Sequence, residues 1–156
     1  MKCPALFSII RRIYMIYLGN ILHLNPCEYD EVWVICHSVE EIRDMIDNNK
    51  NVFHVPELAP SKELFERYRA LVHLDRWDRE AFLKYYVPTF LENIQRNDEA
   101  IKLLKHLVNE SEEKNIMLTC FCEDESICHR SIIGGILKNF GASIICNPEY
   151  EVYSLA

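Results

Sequence analysis

The chain has 156 residues and a formal charge of −7, from 17 Lys and Arg against 24 Asp and Glu; 49% of residues are hydrophobic and 26% are charged. One globular domain over residues 1–156 is expected, because a chain of this length buries roughly 68–70% of its unfolded surface without staples, and the composition excludes disordered, collagen-like and fibrous classes. The acidic balance disfavours a generic DNA-coating role, since a net negative domain repels phosphate backbones, but it leaves room for a local basic pocket.

Residues 1–12 read as a flexible start: the apolar opening is cut short by Arg11-Arg12, and no small-residue cleavage site follows it. Ile13–Leu18 is β-branched and aromatic and reads as a buried strand, closed by Gly19-Asn20. Val32–Cys36 is a second strand. Ser38 with Glu41 has the spacing of a capping box, predicting a helix with Val39, Ile42, Met45 and Ile46 on one face. Val52–Val55 is a short third strand. The middle is helical. Ser61 caps a stretch with Leu64, Phe65, Tyr68, Leu71 and Val72 at helix spacing, and Asp78 starts another with Phe82, Tyr86, Phe90 and Ile94. Pro88 predicts a kink or a fresh start inside the latter. Ala100, Ile101, Leu104, Leu107 and Val108 mark a third amphipathic helix. The last third alternates again: strand Ile116–Phe121, a polar loop, a helix from Ile127 to Phe140 with Gly141 after it, and strand Ser143–Cys146. Strands alternating with helices imply a single Rossmann-like, three-layer α/β domain, with a mostly parallel sheet and a helical middle segment. In such sheets ligands bind beyond the carboxyl ends of the strands.

Seven cysteines, an odd number, with no signal peptide and no apolar run near 18 residues, point to a cytoplasmic protein with reduced thiols and no membrane span. Cysteine clusters then mean metal, catalysis or packing. Cys120, Cys122, Cys128, His129 and Arg130 gather at one strand-loop-helix junction. With Ser126 as N-cap, Cys128, His129 and Arg130 would sit in the first helical turn. Free N–H groups there favour anions and lower a thiol pKa. Three readings stay open. In the first, Arg130 and the helix start hold an anionic small molecule or nucleotide, while His129, Cys120 or Cys128 does proton or nucleophilic work. In the second, Cys120, Cys122, Cys128 and His129 bind zinc in a non-catalytic interaction module. Adjacent helix residues diverging by about 100° count against joint ligation by Cys128 and His129. In the third, the cysteines only pack. A phosphatase or rhodanese loop does not fit, because Arg130 lies eight residues after Cys122 and ten after Cys120, where six are needed.

The junction Leu118-Thr119-Cys120-Phe121-Cys122 and Cys128-His129-Arg130-Ser131 resembles the family called domain of unknown function 488 (DUF488). So do Val55-Pro56-Glu57-Leu58-Ala59-Pro60-Ser61 and the middle region with Tyr68, Trp77, Phe82 and Tyr86. The likeness spans about residues 13–146. It implies a Rossmann-like domain, and it supports Cys120, Cys128, His129 and Arg130 as site residues without assigning a reaction. An Asp-Val-Arg element common in the family is missing here, and Cys36 stands where the family's Ile-Gly-His-Ser-like turn has Gly. His37 and Ser38 at a strand end, Glu57 as a base, and Cys122 and Ser131 beside the junction complete the expected pocket. Each also has a bland reading: cap, loop acid or packing. The aromatic zone of Tyr68, Trp77, Tyr85 and Tyr86 reads as core, or as a base-stacking wall. The expected function is an enzyme of small-molecule, nucleotide or nucleic-acid metabolism.

Overall fold

The computed structural model describes residues 13–145 and 152–155. Residues 1–12, Cys146 and Asn147 lie outside them. Five parallel strands form one sheet in the order β3-β2-β4-β1-β5, with β1 Ile16–Asn20, β2 Glu31–Val34, β3 Val52–His54, β4 Ile116–Cys120 and β5 Ile144–Ile145. The expected α/β class and parallel sheet are present.

Alternation along the strands sorts the core into two layers. Ile16, Leu18, Trp33, Ile116 and Leu118 pack with Phe82, Phe90, Leu104, Ile133 and Ile136 on one side. Val32, Val34 and Met117 pack with Ile42, Met45 and Ile46 on the other. The first face is covered by α4 Val87–Gln95, α5 Asp98–Glu110 and α6 His129–Asn139, and the second by the short α1 Arg43–Asn48. Between β3 and α4 run α2 Lys62–His73, α3 Arg79–Ala81 and a π turn over Phe82–Tyr86. The π turn supplies the break expected before Pro88, which then sits in the first turn of α4, where its missing N–H costs nothing.

Side-chain caps open three of the six α-helices among the described residues. Ser61 accepts the Leu64 N–H and Asp78 accepts the Ala81 N–H, as the sequence predicts. Two expected caps are corrected. The Ser38 box does not form: a 3₁₀ turn over Glu40–Ile42 opens behind Val39 with no side-chain cap, one residue later than the box requires. Ser126 does not cap α6 either. Its N–H and hydroxyl both bond Asp124 Oδ1, which caps a 3₁₀ turn over Glu125–Ile127, and α6 starts at His129 behind Cys128. None of the described helices is long and apolar enough to cross a membrane.

Candidate functional site

Neighbouring strands β2 and β4 end at the same edge, and the Ile35 N–H donates to the Thr119 carbonyl just past their ladder. That register brings Cys36 and Cys120 together. Cys120 continues the Ile116, Leu118 face, so its thiol turns toward α6. Cys128 precedes α6 with extended backbone (φ −121°, ψ 151°). The expected divergence of Cys128 from His129 therefore does not arise, because Cys128 is not a helical residue. Its Sγ lies 3.0 Å from Cys120 Sγ and 3.6 Å from His129 Nδ1. The thiols of Cys120, Cys122 and Cys128 and one imidazole nitrogen of His129 all fall within 4.8 Å of one another, so these four residues are close enough to hold a metal ion.

His129 Nε2 is 2.7 Å from the Ile35 carbonyl. A carbonyl only accepts, so Nε2 carries the proton and Nδ1 offers its lone pair to the sulfurs. Burial holds the His129 pKa below its ordinary value, which keeps the ring neutral.

Negative charge in the cluster settles on one sulfur. Hydrogen bonds from Cys122, Cys128 and Cys36 hold the Cys120 thiol far below its usual range against the opposing effect of burial. The donors move the other way. Cys122 is pushed up to about 12, chiefly by its bond to Cys120, and Cys36 rises for the same reason. Burial, ahead of the same sulfur contacts, raises Cys128. The lowered pKa expected for a cysteine at the helix start is not found: Cys128 is raised, chiefly by burial, and the lowered thiol is Cys120 at the end of β4, where hydrogen bonds from the other sulfurs are the cause.

Above this floor stands a cavity of about 430 Å³, within the range of small-molecule sites. Phe65, Tyr68, Trp77 and Tyr86 wall it, with Tyr68 edge-on to Trp77 at 4.8 Å and Trp77 edge-on to Tyr86 at 5.4 Å. Among the described residues the hydroxyls of Tyr68 and Tyr86 have no hydrogen-bond partner, while both residues line the cavity. Ser38, Glu40 and Glu41 stand in its lining, all exposed, and His37 is tethered through Nε2 to the Pro60 carbonyl.

Of the residues named from sequence, Cys120, Cys122, Cys128, His129, His37 and Ser38 line this cavity. Arg130 does not: it is fully buried and donates to the carbonyls of Gly19 and Cys122, the latter at 2.7 Å. Ser131 is buried too, its hydroxyl donating to the Cys128 carbonyl at 2.7 Å. Glu57 is exposed on the turn Pro56–Leu58, outside the lining. Cys36 and Phe65 belong to the site without having been singled out. The signal for Cys36 was its place at the end of a buried strand, directly before His37.

A family model described as the active DUF488-N3 subclade matches residues 21–141. Comparison with curated proteins and with solved structures returns no match.

Proposed function

The chain belongs to the DUF488 family, and from that premise we propose that it is an enzyme binding a small planar molecule, a nucleotide or a nucleic-acid-derived compound, over its cysteine–histidine centre. One observation carries this reading: a cavity of about 430 Å³ whose walls are aromatic has the only described cluster of sulfur and imidazole donors as its floor. Flat rings suit a flat ligand, and the Tyr68 and Tyr86 hydroxyls offer polar contacts to its edge. The Arg130 fork is engaged with backbone carbonyls and lies outside the lining, so the flat part of the ligand carries this reading. Cys120 supplies the sulfur that bears negative charge, and His129 Nδ1 supplies a proton acceptor beside it. That pairing suits hydrolysis or group transfer at an electrophilic atom.

The test is a fluorescence titration of the full chain with a panel of nucleosides, nucleotides and short oligonucleotides, read on Trp77 against a W77F control. Saturable quenching that Tyr68→Ala weakens about tenfold or more supports the proposal. A panel that leaves Trp77 unchanged overturns it.

A second reading, a non-catalytic zinc-stabilised interaction module, is favoured by the mutual approach of the four donors within 4.8 Å. Thiolate and imidazole ligands suit zinc better than calcium or magnesium. The two readings part at the cavity: the module needs the metal and leaves the cavity without a ligand.

A further inference from the structure

Arg130 poses a problem that its hydrogen bonds do not solve. The side chain is 0% exposed. Nη1 and Nη2 are bound to the Gly19 and Cys122 carbonyls, and Nε is buried without a partner. Carbonyl dipoles satisfy donors but do not cancel a full positive charge, so a buried guanidinium needs an anion near it. Among the described residues Arg130 makes no salt bridge to a carboxylate. Burial opposes its charge, and the strongest attraction on it is that of the Cys120 sulfur.

We infer that Arg130 is the buried countercharge of a zinc–thiolate centre formed by Cys120, Cys122, Cys128 and Nδ1 of His129. The inference takes up the metal-binding reading above, keeps the cavity as the ligand site, and replaces the free Cys120 thiolate and free His129 base of the first reading with a metal-bound set. The charges close: a zinc ion at +2 with three thiolates and a neutral imidazole carries −1, which one guanidinium neutralises. Zinc binding displaces the remaining thiol protons to solvent and involves no change of oxidation state. The donor set is otherwise prepared. His129 already has its Nε2 proton committed to the Ile35 carbonyl, the outer-shell bond that fixes the tautomer and aims the lone pair of a metal-binding histidine. The Arg130 bond to the Cys122 carbonyl ties the countercharge to the loop carrying one ligand. The other covalent outcome for sulfurs 3.0 Å apart, a Cys120–Cys128 disulfide, is neutral and would leave the guanidinium facing no anion. Arg130 is on this account a positioning residue for the metal, not a receptor for substrate.

The full chain, purified under reducing conditions, is titrated with zinc against a chelator and separately with cobalt. One metal per chain and the visible spectrum of tetrahedral, sulfur-bound cobalt are expected, with both lost in Cys122→Ser and kept in Cys27→Ser. Arg130→Met should weaken zinc about 10–100-fold, the usual range for an outer-shell partner, and Arg130→Lys, which keeps the charge, should stay within a few-fold of the native chain. No metal, an octahedral cobalt spectrum, or a Cys120–Cys128 disulfide in place of the metal overturns the zinc centre. Those results leave the Trp77 titration untouched, so the two proposals fail separately. A folded Arg130→Met that binds zinc as tightly as the native chain overturns the countercharge alone. Should the Met variant not fold, Arg130→Lys decides: a folded Lys variant weakened tenfold or more overturns it.

Discussion

Helices α6 and α2 both face the cavity, yet they are held in opposite ways. In α6 every residue from His129 to Leu137 is buried, nine in succession, because it lies between the sheet and α4. In α2, twelve residues long, only Leu64 is buried, while Phe65 and Val72 are exposed. The cysteine–histidine floor is thus positioned by the deepest part of the core. The part of the aromatic wall on α2, Phe65 and Tyr68, hangs on ring contacts and one cap. A site built this way keeps its reacting groups fixed and lets the wall adjust to what it binds, so stability and ligand recognition should respond to different mutations.

The sharpest way to break that contrast is to truncate one apolar residue on each helix. Ile133→Ala removes a fully buried side chain and should cost about 2–5 kcal/mol, whereas Val72→Ala should stay within about 0.5 kcal/mol. Urea unfolding of the two variants reads both. Equal costs would mean that α2 is packed against something as firmly as α6.

Alkaline pH probes the seam between floor and wall. Burial, and then the charges of Cys128, Cys122 and Cys120, raise the Tyr86 phenol well above its ordinary 10. The unfolded chain gives up this proton near pH 10 and the folded one holds it, so between those two values the native state binds more protons. Its stability is then full below pH 10 and falls as pH rises beyond it. Urea midpoints at rising pH should drop more steeply in the native chain than in Tyr86→Phe. Parallel curves would show Tyr86 to be solvated.

Ser61 carries the wall's one strong fixture. Its hydroxyl oxygen accepts the Leu64 N–H at 3.2 Å and an Asn93 amide N–H at 3.0 Å, joining α2 to α4. Ser61→Ala should cost about 1 kcal/mol in unfolding. A loss near zero would show that the rings alone hold α2.

The sheet was legible because its signals are local: each β-branched run becomes a strand, and the alternation of strands with helices dictates parallel pairing. The site was half legible. Cys120, Cys122, Cys128 and His129 share one short segment, so the motif shows itself. Cys36 reaches them only because β2 lies beside β4, a pairing between distant parts of the chain that no local pattern states. Arg130 misled for a related reason. A guanidinium at a helix start looks like an anion receptor until the fold places Gly19 of β1 against it. Phe65 and Val72 fit the helix period of α2 but remain exposed, since periodicity predicts a helix and not a partner for its face.

The smallest effect returns to the same two helices at their carboxyl ends, which close with one motif and different residues. After α6, Gly141 has φ 91°, its N–H donates to the Lys138 carbonyl, and the Ala142 N–H donates to that of Leu137. After α2, Asp75 takes φ 55° in the same position, with its N–H on Val72 and the Arg76 N–H on Leu71. Both are Schellman endings, whose left-handed residue is normally glycine. A Cβ on Gly141 would meet nothing within 4 Å, so Gly141→Ala tests backbone strain alone and should cost about 1 kcal/mol. The reverse exchange, Asp75→Gly, relieves strain but adds unfolded-state freedom, so a gain of only a few tenths of a kcal/mol is expected. The informative result is its effect on the Trp77 titration. Trp77 stands two residues beyond Asp75, and backbone strain retained in a loop commonly serves to hold a neighbouring functional side chain in place. A variant that is more stable and binds the nucleotide panel less tightly would show that the αL aspartate sets the wall. Unchanged binding would reduce Asp75 to a helix ending that glycine could fill.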